Sequence, residues 1–243
     1  PYKKDWFKND PGTKFHKNPL FYAPDLIKII NNAKTNHEIC THTFSHLLVQ
    51  ENHPSVLDYE LEKVKKIHNK LGIPQATSIV TPRHQLPDYR IVRKHGIKII
   101  RLPFPKFKLP NKLEFIYLYI HHPLKCAEKV DNGLIYSYCT PFPSLTSFFL
   151  PQGQKKENKI FSIIPIKVRQ NIHLNCLKNS VNRTISKKSQ LHFWTHLFNL
   201  SNNNQWNPVE NLLRYVQIKR EEGNISILTM NELAKMVLDY EKK

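Results

Sequence analysis

Between Pro54 and Leu102 the chain alternates twice between a helical and a strand-like pattern, and this alternation restricts the fold more than any other feature. Val56, Leu57, Leu61, Val64, Ile67 and Leu71 recur at helical spacing after Pro54, and Gly72 supplies the stop. The apolar run from Ala76 to Val80 predicts a short buried strand. Asp88 to Lys94 then predicts a helix closed by Gly96, and Ile97 to Leu102 a second buried strand. Strands separated by helices in this way pair in parallel, so the expected class is α/β, with a parallel sheet or a barrel.

The flanks carry the same logic less densely. Pro24 to Lys34 has Leu26, Ile27, Ile29 and Ile30 in an amphipathic helical pattern, with residues 1–21 as a loop before it. Residues 103–158 are rich in Pro and aromatics and have no clear period, which predicts a loop-rich insertion with short edge strands. Further on, Ile166 to Ile185 is expected to be helical, Leu191 to Thr195 a strand, Pro208 to Glu222 an amphipathic helix and Thr229 to Tyr240 a capped terminal helix. No internal repeat is visible, and residues 1–243 are expected to form one domain.

Composition removes several classes of function. With 40% hydrophobic and 23% charged residues, and no apolar run near the roughly 18 residues of a membrane-spanning helix, the chain reads as globular with no transmembrane segment. The net charge of +18 would attract nucleic acid if it were concentrated. It is instead spread from Lys3 to Lys243 in singles and pairs such as Lys65-Lys66, so a diffuse basic surface is the reading and no specific nucleic-acid partner is expected. The cysteines Cys40, Cys126, Cys139 and Cys176 include no CxxC pair, which fits a reducing, cytoplasmic setting. The opening PYKKDWFKNDPGTKF has neither a signal-peptide core nor an initiating Met, so an upstream signal or anchor would not be seen; oligomeric state is not legible.

Among residues that could carry chemistry, the pair His42 and His46 in HTFSH stands out. Histidines four apart share the face of a helical turn, and neutral imidazoles suit zinc and similar divalent ions. The pair follows the apolar stretch His37 to Cys40, which reads as a strand end, where α/β folds assemble their sites. Two further positions draw attention. Arg83 follows Thr81-Pro82 at the end of the first predicted strand, where it is either a site cation or a solvated ion-pair partner. His196 ends the run HFWTH, where it reads as a core-edge histidine bonded to backbone; Phe193 and Trp194 read as packing.

In order and spacing, HEICTHTFSH, TPR and HFWTHLFN resemble successive motifs of the polysaccharide deacetylase (NodB-like) family, carbohydrate esterase family 4. The tail from Glu222-Gly223-Asn224 through Leu228-Thr229-Met230-Asn231-Glu232-Leu233 is similar to the closing helix of one branch. The resemblance runs from about Tyr22 to Leu238. It implies a distorted (β/α) barrel and metal-dependent hydrolysis of an N-acetyl group on a polysaccharide or sugar precursor. It also implies His42 and His46 as metal ligands, His196 as general acid and Arg83 as the cation beside the catalytic carboxylate. The implied metal is zinc first, with cobalt, nickel or manganese as other candidates; the implied partner is an N-acetylated carbohydrate.

Two departures shape the expectation. The family's first motif, with its pair of aspartates, has no counterpart here; Asp5, Asp10 and Asp25 follow no apolar strand. The barrel is therefore expected to be incomplete at the N-terminus and the chain inactive alone, with a catalytically silent carbohydrate-binding domain as the alternative. Cys40 stands where Gly is usual and Leu197 where this branch tends to have Pro.

Overall fold

A computed structural model describes residues 11–22, 24–105, 117, 119–130, 132–140, 144–152 and 159–240. The chain folds as two compact units. The first comprises Pro1–Leu102, Lys129–Tyr136 and Leu228–Lys243, the second Pro103–Glu128 and Ser137–Ile227. Asp5 and Asp10 lie outside the described residues.

In the first unit, helices α1 (Pro19–Tyr22) and α2 (Asp25–Asn31) precede α3 (Pro54–Leu71). Helix α3 matches its sequence pattern end to end. Pro54 opens it, His53 Nδ1 accepts the Ser55 amide, and Gly72 closes it at φ 65°, a left-handed position that glycine takes without steric cost. Strand β1 (Ser78–Ile79), helix α4 (Tyr89–Lys94) and strand β2 (Ile99–Leu102) then form the expected parallel β-α-β unit, with Ser78 opposite Ile99 and Ile79 opposite Ile100. Both strands are shorter than their apolar runs.

Leu47, Leu57, Leu61, Ile79, Val92, Ile97, Ile100 and Leu134 fill the core beneath this sheet. Full burial of each large aliphatic side chain is worth about 1.5–3 kcal/mol, so this cluster dominates the unit's cohesion. Strands β3 (Glu128–Lys129) and β4 (Ile135–Tyr138) complete a sheet of order β1-β2-β4-β3, and Thr41 adds a single parallel bridge to Ile79. A closed barrel is not seen among the described residues. Among the described residues the sheet is mixed and open, because the β3-β4 turn returns the chain on itself and β1 and β3 remain at opposite edges.

The second unit is mainly helical, with α5 (Lys159–Ser162), α6 (Ile166–Lys187) and α7 (Asn203–Glu221). Leu177 and Val181 of α6 pack on Leu212 of α7, with Phe193, Tyr215 and Val216 around them. Helix α7 begins five residues before the expected Pro208, because Asn202 caps it by accepting the Asn204 amide. Pro208 therefore sits inside the helix and cannot donate to the Asn204 carbonyl; Gln170 Nε2 donates there instead, at 3.2 Å. Residues 191–195, expected as a strand, run without a regular ladder. Thr140 donates to the His192 carbonyl, but the Trp194 amide is taken by the Ser144 hydroxyl. The terminal helix α8 (Met230–Tyr240), in the first unit, has a reciprocal cap: Thr229 N–H donates to Glu232 and the Glu232 amide to Thr229 Oγ1.

Candidate functional site

The segment that carries His42 and His46 is held by side chains to which its own backbone donates. Thr41 is fixed to β1 on both sides, donating to the Ser78 carbonyl and accepting from Val80. Its hydroxyl accepts the Thr43 amide at 3.1 Å, and Thr43 Oγ1 accepts the Leu47 amide at 2.8 Å. From α3, Glu60 accepts three further hydrogen bonds, from the amides of Phe44 (2.8 Å) and Ser45 (2.7 Å) and from the Ser45 hydroxyl (2.7 Å).

Residues 42–46 are not helical, which corrects the expected helical turn. Thr43 and His46 instead take left-handed backbone, at φ 66° and 61°. Such positions cost about 1–3 kcal/mol each for non-glycine residues and persist where surrounding bonds over-determine them. The two imidazoles still meet, with ring centroids 4.9 Å apart at 69°. The i,i+4 spacing found the right neighbours for a different reason from the one it suggested.

His42 Nδ1 lies 2.5 Å from the Val80 carbonyl oxygen. A carbonyl only accepts, so Nδ1 carries the proton and Nε2 keeps a lone pair in the neutral ring. Metal-binding histidines typically show this arrangement, in which a backbone carbonyl fixes the tautomer and the other nitrogen binds the ion. The chemistry of the pair fits a divalent ion with imidazoles as two of its donors. The pair would supply two donors at most, and the described residues contain no group of three or more His, Cys, Asp or Glu placed to hold an ion.

Arg83 belongs to the short 3-10 turn Pro82–His84, two residues after the Val80 carbonyl that holds His42. Its guanidinium pairs with Glu51 at 3.4 Å and is 58% exposed. His196, in the second unit, is exposed. Its ring stacks on Phe198 with centroids 5.2 Å apart at 12°, and meets Trp194 edge-on at 5.7 Å. Trp194 itself donates its indole N–H to the Thr140 carbonyl, which supports the packing role expected of it. Burial pushes the Cys40 thiol up from its ordinary value, so it stays protonated beside the histidine segment.

Sequence reasoning missed Glu60, Glu38 and Thr43. The signal for Glu60 was present: a carboxylate at the centre of the apolar face formed by Leu57, Leu61 and Val64, where a charge is costly unless bonded. Glu38 accepts from the Ser78 hydroxyl at 2.5 Å and from the Asn231 amide at 2.8 Å, tying β1 to the start of α8.

No family model matches the chain, and no curated protein matches it in sequence. Among solved structures, its fold is similar to that of a provisionally assigned polysaccharide deacetylase from Mycobacterium smegmatis, with a TM-score of 0.62 at 12% identity, over 93% of this chain and 69% of the other. The likeness is one of fold. No described helix is long and apolar enough to cross a membrane.

Proposed function

We propose that this protein is a metal-dependent carbohydrate N-deacetylase, or a close structural derivative of one, acting on an N-acetylated sugar of a polysaccharide or its precursor. The observation that carries the reading is the His42 ring, its Nδ1 bonded to a backbone carbonyl, set 4.9 Å from the His46 ring at the end of a strand contact. The deacetylase-like fold supports it.

When bound, a divalent ion such as zinc polarises an amide carbonyl and brings the pKa of water to about 7. His42 and His46 would hold that ion, with the Val80 carbonyl keeping the His42 tautomer fixed. The resemblance gives His196, exposed in the second unit, the role of general acid. Arg83 would orient a carboxylate; its present bond to Glu51 is an exposed ion pair, worth about 0–1 kcal/mol, so it can be exchanged at little cost.

Acetate release from N-acetylglucosamine oligomers, measured with and without Zn2+, tests this. Zn2+-dependent release that is abolished in His42→Ala supports the enzyme. Saturable oligomer binding without release identifies a silent carbohydrate-binding domain, and the absence of both overturns the reading.

A further inference from the structure

Glu60 is the only acidic side chain among the described residues that is less than 3% exposed, and it accepts three hydrogen bonds from the histidine segment. Oε2 takes the two consecutive amides of Phe44 and Ser45, and Oε1 takes the Ser45 hydroxyl. Those amides sit between Thr43 and His46, the two residues with left-handed backbone. A buried carboxylate is costly unless N–H and O–H donors converge on it. The convergence here also turns the chain so that positions 42 and 46 face each other.

We infer that Glu60 is the positioning residue of the His42-His46 pair: by gathering the Phe44 and Ser45 donors it imposes the left-handed backbone at Thr43 and His46, and so sets the spacing of the two rings and the approach of His42 to the Val80 carbonyl. It acts through the backbone between them, as outer residues do when they orient ligands. A glutamine at this position accepts through one oxygen only and presents an NH2 group to donors it cannot satisfy.

The test compares Glu60→Gln with Leu61→Ala, a change to the buried neighbour on the same helix that weakens the core without touching the segment. The ring-proton resonance of His42 Nδ1 in the histidine-labelled chain is read first. It should be protected in the parent protein and in folded Leu61→Ala, and lost or rapidly exchanging in Glu60→Gln. Zn2+ affinity is read second; it should fall about tenfold or more in Glu60→Gln, as for outer-residue changes at metal sites, and stay near parent in Leu61→Ala. Should Glu60→Gln fail to fold, Ser45→Ala, which removes one of the three bonds, should show the same loss in weaker form.

Retention of the protected His42 proton in Glu60→Gln, or equal loss in Leu61→Ala, overturns the inference. Only the zinc arm rests on the metal reading. If the parent chain takes up no Zn2+, that reading fails, and the ring-proton comparison still decides the role of Glu60.

Discussion

His42 Nδ1 and the Val80 carbonyl oxygen, 38 residues apart in sequence, are 2.5 Å from each other, and this contact fixes which nitrogen of the ring holds the proton. The neutral ring is therefore expected as the Nδ1–H tautomer. Long-range 15N–1H spectra at pH 8 should show a protonated Nδ1 and a bare Nε2 for His42; the opposite pattern would contradict the arrangement.

His173 lies fully buried on α6 and bonds the Leu145 carbonyl through Nε2 at 3.0 Å. Burial pushes its pKa from 6.5 down to about 4. The unfolded chain thus takes up a proton near pH 6.5 that the folded chain refuses until about pH 4. Stability contributed by the neutral ring is complete above pH 6.5 and lost progressively as pH falls toward 4. At 1.36 kcal/mol per pKa unit the loss is about 3 kcal/mol across that window. Urea unfolding from pH 7.5 to 4.5 should show this acid limb, and His173→Gln should flatten it.

Glu38 holds the start of the terminal helix through the Asn231 amide and also accepts from the fully buried Ser78 hydroxyl. Glu38→Ala leaves both donors without this acceptor, at about 1–3 kcal/mol for each that stays dry. Hydrogen exchange should therefore rise at residues 230–233 before it rises in α3.

The cysteines differ enough in environment to be separated by alkylation. Cys126 is exposed, whereas Cys139 is buried and burial pushes Cys176 up to about 12. Because the thiolate is the reacting form, iodoacetamide at pH 8 should label Cys126 first and leave Cys139 and Cys176 unmodified until the chain unfolds. Early labelling of Cys176, read by peptide mass, would show that its surroundings are wetter than the structure has them.

Helix α3 was legible in full because its apolar spacing, its opening proline and Gly72 all agree. The β-α-β unit was legible for the same reason, while strand lengths were not, since an apolar run does not say how many of its residues find a partner. Pro208 misled in the opposite direction: it resembled a helix start, and the Gln170 side chain, supplied from another helix, bonds the carbonyl that the proline leaves without its helical donor. The pairing of His42 with His46 could be read from spacing, but its cause could not. That cause is a carboxylate 14 residues beyond His46, and three donors meeting on one buried side chain leave no periodic trace. The run 191–195 has the composition of a strand, yet its amide at Trp194 is satisfied by a serine hydroxyl, a choice made by tertiary contacts.

The most direct measurement of the central claim is zinc K-edge X-ray absorption on the chain titrated with one equivalent of Zn2+, alongside His42→Ala and His46→Ala. Two imidazole nitrogens at about 2.0–2.1 Å should be seen in the parent protein, with one fewer in each variant and a matching fall in affinity. Zinc uptake that is unchanged in both variants, or no saturable uptake by the parent chain, would contradict it.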